Sequence, residues 1–222
     1  MPRRSIMNSR ATFSMAHRTA TRVRPRFGGA GDSTEAAIGV SIWAASGTLR
    51  RMPDPVTEFE EYRQELLGLL GQDDPVAVLR TTLLEVQRMS EHASEVELNR
   101  SPLPGEWSPR EVLSHLADSD LMVNVRVRMI VTQDRPQLVG YDQEAWTARF
   151  GNLDSASEIV ERWRVLRGAN LRMFESLSGE EWQRVGMHTE RGPESALLTV
   201  QLMAGHDRMH LEQIRRGLAL PV

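Results

Sequence analysis

The sequence predicts an all-α protein, a four-helix bundle with short extra helices and an unstructured N-terminal leader. Three observations carry this. Four long segments repeat apolar residues at helical spacing. Several of them open on explicit start signals, the clearest being Ser108-Pro109-Arg110-Glu111. No segment alternates apolar and polar residues over four or more positions, and no Asn-Gly hairpin occurs.

Residues 1–51 read as a leader, or as upstream sequence translated from a start placed too early, with Met52 a natural start for the folded part. Seven arginines crowd the first 26 positions, and the first acidic residue is Asp32. An arginine-rich, acid-poor start also suits a transit peptide. Arg3-Arg4 is compatible with a twin-arginine signal, although the mildly apolar patch at 36–45 lies far downstream and lacks a convincing cleavage site. The folded part is expected over residues 52–222.

Phe59 to Leu70 reads as a short helix. Asp74-Pro75 supplies an N-cap followed by proline at the first helical position. The helix it opens should run to about His92, with Val78, Leu79, Leu83, Val86 and Met89 near-periodic. A linker ends at Pro102-Leu103-Pro104-Gly105-Glu106-Trp107. Ser108 then caps the next helix, Glu111 closes a capping box, and Trp107 with Val112 can form a hydrophobic staple. This helix should reach about Val131 on a buried side of Val112, Leu113, Leu116, Val123, Val127 and Ile130. Asp142 should cap a short helix containing Trp146. Asp154 or Ser155 should cap a long one reaching about Leu177, striped by Ile159, Trp163, Leu166, Leu171 and Phe174. Ser178-Gly179-Glu180-Glu181 opens a single turn, and His188 to Pro193 reads as a loop. The last helix should stop at Gly217 as its C′ residue.

Composition removes several chemistries. The chain has 222 residues and no cysteine, so disulfides, thiolate-bound zinc and a cysteine nucleophile are excluded. All 27 basic residues are arginine, which excludes Schiff-base and P-loop lysine chemistry. A net charge of -3 gives no reason to expect nucleic acid. No apolar run of about 18 residues occurs, so no membrane span is expected, and the expected location is the cytoplasm.

The last helix carries His206 and His210, four residues apart on one face, in a stripe shared with Leu198, Leu202 and Ile214. They are either core histidines with hydrogen-bond partners or two ligands of one cation. A third ligand would decide. In a bundle His115, early in the second long helix, can meet them and form an open three-histidine set of the catalytic kind. Zinc, nickel or another borderline divalent ion suits such ligands. Asp118 stands one turn beyond His115, close enough to orient it. Asp118, Tyr141, Asp142 and His188 are candidates to line or support the site. Each has a plainer reading: a capping carboxylate, a packed tyrosine, a helix cap, a loop histidine. Arg126, Arg128, Arg215 and Arg216 could bind a substrate carboxylate, although solvated, salt-bridged faces are the plainer reading. Trp107, Trp146, Trp163 and Trp182 read as core or staple residues.

Glu106-Trp107-Ser108, Leu113-Ser114-His115-Leu116-Ala117-Asp118, Tyr141-Asp142-Gln143-Glu144-Ala145-Trp146, the His188-Thr189-Glu190 loop and His206-x-x-x-His210-Leu211 together resemble the DinB/YfiT-like metal-binding bundle superfamily. The resemblance covers roughly residues 54–218. It implies a four-helix bundle, usually a homodimer, holding a divalent metal ion on His115, His206 and His210 and acting on a small-molecule substrate. Relatives in that superfamily include metal-dependent hydrolases and transferases that use bacillithiol or mycothiol. With no cysteine or lysine in the chain, any nucleophile comes from solvent or a cosubstrate. The expectation is transfer of a low-molecular-weight thiol through a metal-bound thiolate. Hydrolysis by metal-bound water and a non-catalytic metal-binding module are the alternatives.

Overall fold

The structure is a computed structural model and describes residues 42–45 and 48–219. Strands β1 (Ile42–Ala45) and β2 (Thr48–Arg51) pair as an antiparallel hairpin. This hairpin falls inside the stretch expected to be an unstructured leader. The readings made on residues 1–41 lie outside the described residues.

Beyond it run α1 (Phe59–Leu70), α2 (Pro75–His92), the single turn α3 (Glu95–Leu98) and α4 (Pro109–Thr132). Then come β3 (Gln137–Leu138), α5 (Gln143–Phe150), α6 (Ala156–Ser176) and α7 (Gly179–Gln183). Strands β4 (Val185–His188) and β5 (Gly192–Ser195) lead into α8 (Ala196–Gly217). The helix starts are set by local chemistry. The Asp74 carboxylate accepts the Val76 N–H at 3.0 Å. Ser108 and Glu111 bond reciprocally: the Ser108 N–H donates to the Glu111 carboxylate at 2.8 Å, and the Glu111 N–H to Ser108 Oγ at 3.3 Å. Ser155 caps α6 with Glu158 in the same way, while Asp154 pairs with Arg162.

The four long helices α2, α4, α6 and α8 form the bundle. Helices α2 and α4 each pack against both α6 and α8, and α1 lies along α8. One half of the core gathers Val112, Leu116, Trp163 and Ile214, and the other gathers Leu79, Val127, Phe174 and Val200. Among the described residues no helix is long and apolar enough to cross a membrane.

A small sheet closes one end, with β3 parallel to β4 and β4 antiparallel to β5. The segment from His188 to Pro193, expected as a loop, is the turn of the β4–β5 hairpin and its flanks. Strands of two to four residues are too short for a period of two to register in the sequence. Gly217 is also displaced from its expected role: it ends α8 instead of following it. A Cβ on Gly217 would lie 2.7 Å from Pro109 Cγ, so its smallness serves the contact between the end of α8 and the start of α4.

Gly205 is the tightest approach in the bundle. A Cβ there would sit 2.1 Å from the Leu66 carbonyl oxygen, which is backbone of α1 and cannot rotate away. Gly205→Ala should therefore push α1 off α8 and lower stability by about 1–3 kcal/mol, the usual range for overpacking. Urea unfolding of the full chain checks this; an unchanged midpoint would mean that α1 rides loosely on α8.

Candidate metal centre

His115 enters from the second turn of α4, and His206 and His210 from consecutive turns of α8. Capping at Ser108 fixes where α4 begins, and therefore which face His115 occupies. The three rings converge. His115 Nε2 lies 3.0 Å from His206 Nε2, and His210 Nε2 lies 3.1 Å from it. Ligand nitrogens about 2.1 Å from one metal ion are separated by about 3.0–3.4 Å, depending on geometry. The observed spacing fits three nitrogens on one cation.

Three facts favour ligands over ordinary core histidines. First, three imidazole nitrogens face each other with no carboxylate between them. Second, Gln213 Oε1 stands 2.7 Å from His210 Nδ1. The amide oxygen can only accept, so the ring proton sits on Nδ1 and the Nε2 lone pair is free. Third, burial pushes all three pKa values down, His210 to about 4, with the neighbouring rings adding to the effect on His115 and His206. They are neutral at pH 7, the form that ligates metal. Trp107 packs against the cluster, its ring 4.9 Å from that of His115 and 6.4 Å from that of His210. Its Nε1–H donates to Glu144 at 3.3 Å, which ties α5 to this wall.

A cavity of about 460 Å³ opens onto His206 and His210, between the Met52–Val56 segment, Trp107 and the start of α5. A smaller recess of about 80 Å³ lies on the other side of His206 and Tyr141, which line both spaces. Of the four residues expected to line or support the site, the structure brings two to it. Tyr141 stands between the spaces, its hydroxyl 3.1 Å from Ser119 Oγ. Asp142 lines the large cavity while capping α5 through the Ala145 N–H at 2.9 Å. Asp118 borders neither space and makes no hydrogen bond to His115. Burial raises its pKa, opposed by Arg162. Orienting a ring falls instead to Gln213. His188 is not part of the converging cluster. Its Nδ1 accepts the Glu190 N–H at 3.2 Å, and its buried Nε2 has no hydrogen-bond partner. Burial, helped by Arg191 and Arg126, pushes its pKa down to about 3.

Several residues of the site escape sequence reading. Trp107 is a wall of the histidine cluster, not only a staple. Arg126, offered as a possible carboxylate ligand with a solvated face as the plainer reading, is buried and lines the recess. Arg191, Glu194 and Thr199 join it there from β4–β5 and α8. No local signal marks them, because each comes from a different element.

The lowered imidazole pKa values have a consequence for folding. A histidine with native pKa near 4 and unfolded pKa near 6.5 binds fewer protons folded than unfolded. Unfolding then takes up protons, so stability is complete above about pH 6.5 and falls as pH drops toward 4. His210 alone should account for about 3 kcal/mol across that window. Urea midpoints of the chelator-treated chain at pH 7, 5.5 and 4.5 check this; midpoints that stay level would mean that the rings are solvated.

The sequence profile of the DinB superfamily matches residues 79–214, a span that holds all three histidines. A protein of Oceanobacillus iheyensis is 24% identical over 149 residues, 64% of this chain and 78% of its own length. YfiT of Bacillus subtilis is 22% identical over 176 residues, 74% of this chain and 94% of its own. Both carry the name "putative metal-dependent hydrolase". The solved structure of YfiT, described as a four-helix bundle of unusual topology, matches at a TM-score of 0.60 with 18% identity, over 76% of this chain and 94% of that one. That likeness is one of fold. With the profile spanning more than half of the sequence, the chain belongs to the DinB superfamily.

Proposed function

We propose that the chain is a divalent-metal enzyme that transfers a low-molecular-weight thiol to an electrophilic small molecule. The observation that carries this is the cavity of about 460 Å³ opening directly onto His206 and His210. A metal sealed by side chains would suit a storage or structural role, whereas this space admits two small reactants. A zinc or nickel ion on the three imidazoles would supply Lewis acidity, which lowers the pKa of a thiol or water beside it.

The chain's own residues divide the remaining work. His115, His206 and His210 are held neutral by burial and present lone pairs. Gln213 keeps the His210 proton on the far nitrogen. Trp107 excludes water from one side of the cluster. The nucleophile in this reading is the thiol cosubstrate; the chain has no cysteine or lysine to take that role.

Hydrolysis is the second reading, favoured by the names of the two relatives and by Glu144. That carboxyl lines the cavity, and burial raises its pKa, which suits a general base for water. The test is to load the full chain with zinc or nickel and assay it with small thiols plus an aromatic halide electrophile. A panel of esters and amides without thiol is assayed in parallel. Thiol conjugation is the expected result. Turnover of esters or amides alone would move the assignment to hydrolysis, and no turnover of either would leave a binding module.

A further inference from the structure

We propose that the recess behind His206 is a carboxylate site, so that the substrate meeting the metal is a small carboxylic acid held by Arg126 and Arg191. This rests on the metal-enzyme reading above and adds the chemical class of its substrate. The recess of about 80 Å³ adjoins the larger cavity through His206 and Tyr141 and is lined by both guanidinium groups.

The other buried guanidinium among the described residues is balanced. Arg167 is fully buried and forms bidentate pairs with two carboxylates, Asp120 and Asp207. Arg126 is 8% exposed and has no carboxylate at ion-pair distance among the described residues. One terminal nitrogen donates to the Val139 carbonyl at 2.8 Å, and its buried Nε has no hydrogen-bond partner. Arg191 makes one ion pair, to Glu194 at 3.0 Å, and its buried Nε also lacks a partner. A guanidinium carries five N–H donors in a planar fork that matches a carboxylate.

The net charge of the recess favours an anion: two guanidinium groups face one buried carboxylate, Glu194, before any metal ion is counted. Glu190 also acts on Arg126, but it is exposed and solvated. A planar carboxylate matches the guanidinium fork, and a divalent ion on His206 would add to the attraction for an anion. Glu194 Oε1 accepts from the Thr199 hydroxyl at 2.8 Å, while its buried Oε2, ion-paired to Arg191, accepts no hydrogen bond. The volume admits a carboxylate.

The experiment uses the full chain loaded with cobalt(II) and two series of probes. One is mercaptoacetate, 3-mercaptopropionate and 4-mercaptobutyrate; the other is their amides. The cobalt–thiolate absorption band reads binding without turnover. The best acid should bind about tenfold to a hundredfold more tightly than its amide, the worth of a charge-assisted pair. Arg191→Gln and Arg126→Met should each reduce that ratio toward one. Arg191→Gln, at the rim, covers the case in which Arg126→Met unfolds.

Equal binding of acids and amides overturns the carboxylate site and leaves the thiol reading standing. Absence of the band with every thiol overturns the thiol reading alone. The recess is then judged on chelator-treated protein titrated with propionate. Binding that Arg191→Gln abolishes supports the site, and no binding overturns it.

Discussion

Arg167→Met is expected to destabilise the protein by about 3–5 kcal/mol, the cost of leaving buried charge without its partner. Arg167 of α6 is completely buried, and its guanidinium reaches the other three long helices. It donates to Asp120 of α4 at 2.8–3.1 Å and to Asp207 of α8 at 2.7 and 3.1 Å. It also donates to the Leu79 carbonyl of α2 at 2.7 Å. Asn170 donates to Asp120 at 2.7 Å, and the Trp163 indole adds another donor. Burial pushes the Asp207 carboxyl up to about 6 against the pull of Arg167, so at neutral pH it stays ionised and paired. Methionine in place of Arg167 matches its length but leaves two carboxylates buried together. Urea unfolding at pH 7 checks the loss. Adding Asp120→Asn and Asp207→Asn to Arg167→Met should recover part of it, because neutral amides remove the repulsion. A triple variant no more stable than the single one would mean that side-chain volume, not charge, sets the cost.

His206→Ala should abolish stoichiometric metal binding. His206 is the central ring of the three, 3.0 Å from one partner nitrogen and 3.1 Å from the other. Its removal leaves two ligands on different helices and opens the site to water from both spaces that His206 lines. Affinity should fall by more than about 100-fold, beyond what loss of an outer partner costs a metal site. Gln213→Ala removes such an outer partner, the acceptor for His210 Nδ1–H, and should cost about 10- to 100-fold. Equilibrium dialysis against zinc and nickel reads both variants, with circular dichroism verifying the fold. Full metal retention by His206→Ala would remove the basis for a three-histidine centre.

The sequence carried the local half of this structure. Asp74-Pro75, Ser108-Pro109 and Ser178-Gly179 mark helix starts through contacts within four residues, and each start falls where expected. The apolar period identified the buried face of α4, and all six of its expected positions are buried. Spacing alone put His206 and His210 on one face.

The stripe on α6 shows where this stopped. Leu166 was expected inside, yet Arg167 takes the buried position. A charge can be buried only if partners meet it, and those partners lie 40 and 47 residues away in sequence, on α8 and α4. For the same reason the sequence could name Arg126 as a possible carboxylate ligand without placing it inside, and could read Trp107 only as a core or staple residue.

What the amino-acid sequence determined by itself was the helices, their ends and their apolar faces, because these follow from contacts between near neighbours. Only the tertiary structure decided that His115 meets the pair on α8, that Gln213 rather than Asp118 orients a ring, and that two arginines line the recess beside them. Those outcomes depend on how separate helices are brought together, and no residue carries that information to its neighbours along the chain.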